Sequence, residues 1–170
     1  MHTELGPAQG LYRAGPGCVF GYRSSRPAFI RLEASLVAFG NPVQGRIAAQ
    51  GEAHTVGQYV VTATFAQHIA TGRGPGIDLG NGTCGGAILA MRNGVVDEAF
   101  TVGPPGAPYA GAKVVRYHLI EHPEYQIGIA HMDTIEVAVG QTHSEAQIIG
   151  HIGHSGVVPC HLHLGTRLNG

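Results

Sequence analysis

Cys160-His161-Leu162-His163-Leu164 alternates polar and apolar side chains. In an extended strand residues i and i+2 share a face. His161 and His163 therefore point together to one side. Cys160, Leu162 and Leu164 point to the other, toward a core. Two imidazoles side by side on a pleated surface suit a metal ligand next to a catalytic base. A lone His-x-His is more often an exposed polar face, so the surrounding sequence has to decide.

Outward from this stretch the chain reads as strand after strand. Segments 59–65, 87–91, 95–100, 113–121, 127–132, 135–139, 148–152 and 159–164 are rich in β-branched and aromatic residues. Asn93-Gly94 predicts a hairpin joining 87–91 to 95–100. No convincing helical period follows Val56. Prolines 7, 16, 27 and 42 punctuate the first part, where 29–32 and 36–39 read as short extended segments. A helix over 27–39 is the alternative there, on the spacing of Phe29, Leu32, Leu36 and Phe39. The expected organisation is an N-terminal, loop-rich arm over residues 1–55 and a mainly antiparallel β domain over 56–170.

Composition narrows the function classes. The 170 residues include 27 glycines and 11 histidines, and charged residues make up only 12 %. Lys+Arg 10 against Asp+Glu 11 gives a net charge of −1. No basic excess exists to release counterions from nucleic acid or to hold a membrane surface. The longest early apolar stretch, 28–40, is broken by Arg31 and Glu33, so no membrane insertion is expected. The first twenty residues lack a secretory signal pattern. The expectation is synthesis in the cytoplasm, with action outside reached by a non-Sec route or in a phage particle. Three cysteines, at 18, 84 and 160, are too few for a disulfide scaffold.

Eight histidines fall between His118 and His163, within an ordered set of motifs. Gly76-Ile77-Asp78-Leu79 precedes Ala130-His131-Met132, and His161-Leu162-His163-Leu164 follows. From about Thr62 to Gly170 this order resembles the lysostaphin/LytM-type zinc metalloendopeptidases, which cut peptides of bacterial peptidoglycan. The resemblance implies that fold, with Asp78 and His163 as zinc ligands. It implies His131 and His161 as the residues that orient and deprotonate the attacking water. It also places Cys84 and Cys160 beside the site, where a disulfide or two buried thiols are both open.

Two positions depart from the family pattern. The first zinc ligand falls four residues before Asp78, where this chain has Gly74. Three protein ligands plus water are usual for catalytic zinc. A replacement could come from His68, from His54, His151 or His154, or from the Cys84 or Cys160 thiolate. His68 is the foremost candidate, folding back over the 72–76 turn. The family tyrosine before alanine-histidine is Ile129 here, leaving Tyr109, Tyr117 and Tyr125 as possible hydroxyl donors. The expected function is a peptidoglycan metalloendopeptidase-like protein with a weakened site. The alternative is a non-catalytic wall-binding or structural module, in a phage or secreted assembly, that keeps the peptidase fold. His118 with His122, and His151 with His154, read as surface pairs. Gly72-Arg73-Gly74-Pro75-Gly76 lacks the following helix that a phosphate cradle needs.

Overall fold

The computed structural model describes residues 11–14, 18–21, 29–31 and 36–169. The chain divides into two compact units, Met1–Phe39 and Gly40–Gly170. The first unit is a four-stranded antiparallel meander of β1 (Leu11–Ala14), β2 (Cys18–Gly21), β3 (Phe29–Arg31) and β4 (Leu36–Ala38). Residues 29–31 and 36–38 pair as extended strands in place of a helix, and the rest of the helical alternative, at 27, 28 and 32–35, lies outside the described residues.

The second unit begins ahead of the 55/56 boundary read from composition, because β5 (Ile47–Ala48) joins its sheet. Then come β6 (Tyr59–Ala63), α1 (Phe65–Thr71), β7 (Ile77–Gly80), β8 (Ala87–Leu89), β9 (Gly94–Thr101) and β10 (Lys113–Leu119). The last four strands are β11 (Tyr125–Ile135), β12 (Thr142–His143), β13 (Ile148–Ile152) and β14 (Leu162–Leu168). The main path of the sheet runs β12-β9-β10-β11-β14-β7-β6-β5, with β13 bridging β11 to β8. The architecture is mainly β and antiparallel, apart from the parallel β5–β6 pair. No helix among the described residues is long and apolar enough to cross a membrane.

Register explains which face is the core. Val115 pairs Ile129, Tyr117 pairs Ile127, Ile129 pairs Leu164, and Leu162 pairs Leu79. All of these are buried. Ile88 of β8 and Ile149 and Ile152 of β13 are buried as well. Side chains one residue out of phase stand on the opposite face, and that face carries the histidines.

Asn93-Gly94 does not make the expected hairpin. β8 pairs with β13, while β9 pairs with β10 and β12. Gly94 is needed for close packing instead: a Cβ there would lie 2.7 Å from the Tyr117 ring and 2.8 Å from His143. The one helix after Val56 is α1, seven residues long. Thr64 caps the Gln67 amide while the Gln67 side chain returns to the Thr64 amide, and Gly72 closes the helix at φ 68°.

Cys84 and Cys160 are bonded, with Cα atoms 5.1 Å apart and a sequence separation of 76. The cross-link ties the loop after β7 to the segment entering β14. For a loop of that size the unfolded chain loses entropy equivalent to about 4 kcal/mol. Replacing both cysteines by serine is expected to lower the urea-unfolding free energy by about 2–4 kcal/mol. Treatment of the unmodified chain with reductant should do the same, and an unchanged denaturation midpoint would mean that the thiols are free.

Candidate metal centre

Four elements deliver the site. Asp78 of β7 lies directly opposite His163 of β14. The His163 Nδ1 is 3.0 Å from Asp78 Oδ1. Helix α1 sits between β6 and β7, and it turns His68 inward, 3 % exposed. His68 Nε2 is 3.1 Å from the same oxygen, and His161 Nε2 is 3.6 Å from it. One carboxylate oxygen therefore faces three imidazoles. Burial pushes the Asp78 carboxyl up, but the His163 hydrogen bond and the positive potential of His161, His68 and His163 outweigh it. The net effect lowers its pKa below the ordinary value.

His131 reaches the site through a bulge. Lys113 pairs Met132 and Val114 pairs Ala130, so His131 is the extra residue of β11 against β10. Its backbone is left-handed, φ 66°. Bulges re-aim side chains, and this one marks where β11 leaves β14 and takes up β13. The His131 ring packs 4.7 Å from that of His161. His131 Nδ1 donates to the Ser155 carbonyl at 2.8 Å, and His161 Nδ1 donates to the Pro159 carbonyl at 2.7 Å. A carbonyl can only accept, so in the neutral form of either ring the lone pair sits on Nε2.

The donor set can be tested against a metal. Nδ1 and Nε2 of His68 are both buried without a hydrogen bond. The Nε2 stands within contact of Asp78 Oδ1 but out of line for proton sharing. Unsatisfied buried nitrogen is costly, and a cation shared by the two atoms would satisfy the Nε2. Ligand atoms of His68, Asp78 and His163 lie within 4.8 Å of one another. Two imidazoles and a carboxylate form a usual protein donor set for catalytic zinc. These residues fit the metal.

The structure sorts the sequence candidates for the third ligand. His68 joins Asp78 and His163. His151 bonds Glu136 and Thr134, His54 is exposed beside the Glu52 carbonyl, and His154 lies 3.6 Å from Cys84 Sγ. Both candidate thiolates are consumed in the disulfide. Gly74 stands at φ 85° with open space around a hypothetical Cβ. Nearby Gly76 is different: a Cβ there would come 2.6 Å from His163 Cε1. Of the three tyrosines, Tyr117 and Tyr125 are buried in the core. Tyr109 lines the groove, with its ring centroid 5.6 Å from that of His131. Ile129, at the family's tyrosine position, is fully buried on the core face.

The groove over these residues holds about 410 Å³ and is open to solvent. A β-sheet protein that gathers a His₂Asp donor set and two lone-pair-bearing histidines in a groove has the equipment of a metal-dependent hydrolase. Residues 72–170 match the profile described as Peptidase family M23, and the chain belongs to that family. His68 lies just ahead of the matched segment.

Among solved structures, the likeness to Csd3 bears on the fold, and two others are similar at a lower score. Csd3 of Helicobacter pylori is 20 % identical, with a TM-score of 0.52, over 89 % of this chain and 44 % of that one. LytU is 29 % identical, TM-score 0.49, over 56 % of this chain and 61 % of that one. The catalytic domain of the antimicrobial peptidase lysostaphin from Staphylococcus simulans is 24 % identical, TM-score 0.49, over 56 % and 67 %. The chain thus spans about three-fifths of LytU and under half of Csd3. No curated protein matches it.

Proposed function

We propose that the protein is a zinc endopeptidase acting on peptidoglycan peptides, with His68, Asp78 and His163 as the three ligands. The observation that carries this is the unbonded, buried His68 Nε2 facing Asp78 Oδ1. The ligand set left incomplete at Gly74 is completed from helix α1. Membership of peptidase family M23 supports the reaction class. The order of the Asp78, His131 and His161/His163 motifs, which resembles the lysostaphin/LytM-type peptidases, supports a bacterial wall as substrate.

Bound zinc supplies Lewis acidity and lowers the pKa of a coordinated water toward about 7. The chain's own residues do the rest. His131 accepts the water proton at Nε2, because its Nδ1 is occupied by the Ser155 carbonyl. His161, held by the Pro159 carbonyl through Nδ1, directs its Nε2 to the same space, and with a proton on that nitrogen it is the donor that stabilises the developing charge. Tyr109 offers a hydroxyl from the groove wall in place of the one lost at Ile129. The Cys84–Cys160 bond suits an oxidising compartment, in keeping with action outside the cytoplasm.

The test is metal content and wall lysis on the same preparation. Zinc near one per chain is expected, with clearing of a cell-wall suspension that a chelator stops and added zinc restores. His163→Ala should lose both properties. No zinc and no clearing, with the protein still sedimenting with peptidoglycan, would establish the non-catalytic wall-binding alternative.

A further inference from the structure

The groove extends past the metal centre as ordered rows of side chains. Sheet register sets Ala130, His163 and Asp78 in one row across β11, β14 and β7. The next row on that face is Arg116, Gly128 and Gly165, and the one beyond is His118, Gln126 and Arg167. Two residues of strand separate neighbouring rows, about 7 Å, so Arg167 stands about 13 Å from the His163 row. Gly128 leaves the middle row free of a side chain beside Arg116, whereas the Pro75 carbonyl covers Gly165, 2.9 Å from where a Cβ would stand. Arg73, from the turn after α1, lines the same groove.

The cations are distributed unevenly. Residues 40–170 contain six Lys and Arg, and three of them line this groove. The other three have partners: Arg46 with Glu52, Arg92 with Glu121, and Lys113 with the Asp133 carbonyl. Arg116 pairs with half-exposed Glu98 at 2.6 Å and lies over the Phe100 ring. Asp97, the other acid near this end, is bonded by His118 and Gln126. Arg73 and Arg167 have no anionic partner among the described residues. Unpaired guanidinium groups beside an open strip of sheet are poised for a planar anion, which arginine binds with two parallel hydrogen bonds.

We infer that this end of the groove is a carboxylate-binding subsite, selecting peptides that carry an acidic side chain two to four residues from the scissile bond. Arg167 and Arg73, the two without an anionic partner, grip the carboxylate over Gly128, and Arg116 adds its charge from the neighbouring strand. This rests on the peptidase reading only in that a peptide occupies the groove. An extended peptide advances about 3.3 Å per residue, so the row spacing sets the two-to-four-residue offset.

The test uses two fluorophore-labelled peptides with blocked ends, Ala-Ala-Glu-Ala-Ala and Ala-Ala-Gln-Ala-Ala, which differ by one carboxylate. Each is titrated against the zinc-supplemented full chain, and hydrolysis is followed in parallel. The acidic peptide is expected to bind at least about tenfold tighter in 50 mM salt. That preference should shrink in 500 mM salt, as screening requires. Arg167→Gln and Arg116→Gln should each bring the ratio to within twofold. Arg167 is exposed, whereas Arg116 also holds Glu98 and the Phe100 ring, so thermal melts of both variants confirm folding. A native ratio under twofold, no binding of either peptide, or a preference surviving in both variants would overturn the subsite. Those results would leave zinc binding and wall clearing untouched. Loss of zinc and clearing with the acidic preference intact would instead overturn the peptidase reading.

Discussion

His68→Ala is expected to reduce bound zinc from about one per chain to a small fraction and to slow cell-wall clearing at least a hundredfold. Loss of a residue that merely orients a ligand typically costs 10–100-fold in affinity or activity, and a ligand should cost no less. The residue belongs to no motif at the family's spacing, so its loss would be harmless if the centre were degenerate. The measurement is zinc per chain after gel filtration, with lysis on the same sample and circular dichroism to verify the β fold. Full zinc and full clearing in His68→Ala would place the third ligand elsewhere. A companion variant sharpens the result. Gly74→His on the His68→Ala background puts the missing histidine back at the family's position, yet it should not restore zinc. Gly74 has φ 85°, which non-glycine residues adopt only with strain. Pro75 follows, restricting the residue before it toward extended backbone with negative φ. The turn would need to be rebuilt before a histidine there could reach Asp78.

Which parts of the site could be read from sequence follows from how local each signal was. His161 and His163 share a face because strand alternation is a two-residue property, and the extended entry into β14, where His161 bridges Gly153, preserves it. Asp78 opposite His163 came from the order of motifs, and the register of β7 on β14 makes that pairing physical. His68 was harder. Its approach depends on a seven-residue helix, about two turns, too short to show a 3.6-residue period. The signal that could have found it lay at the ends: Thr64 and Gln67 at capping-box spacing and Gly72 as the C-terminal stop. Asn93-Gly94 failed for the opposite reason. A hairpin dipeptide is a local preference, whereas the pairing of β8 with β13 is set by long-range burial of Ile88 and Ile149. The bulge that aims His131 is equally invisible in sequence, since it is an offset between two strands. Compositional change suggested a division near residue 55. The structure divides at Phe39/Gly40, because a two-residue strand suffices to anchor Ile47–Ala48 to β6.

His131→Ala should separate metal binding from chemistry. Zinc near one per chain is expected to remain, because His131 makes no approach to Asp78 as close as those of His68 and His163. Turnover should fall by about 10²–10⁴, the usual contribution of a positioned base. The pH profile carries the same information. Burial holds the His131 pKa below its ordinary value, the Ser155 carbonyl opposes this, His161 and His163 push it lower, and Asp78 raises it. The net shift is downward, so the proton-accepting form persists to more acidic pH than for a free imidazole. Activity should therefore be flat above about pH 6.5 and decline only as pH falls through the depressed folded-state value. His131 stabilises the fold with the same sign: its contribution is complete above about 6.5, where the unfolded residue is also neutral, and is lost as pH falls through the folded value. The backbone gives an independent control. At φ 66° glycine is unstrained where alanine is not, and relief of a left-handed residue is worth on the order of 1 kcal/mol. His131→Gly is thus expected to unfold at least as late in urea as His131→Ala while being equally inactive. If His131→Gly retained native turnover, His131 would be a bulge residue only, and the base would have to be His161.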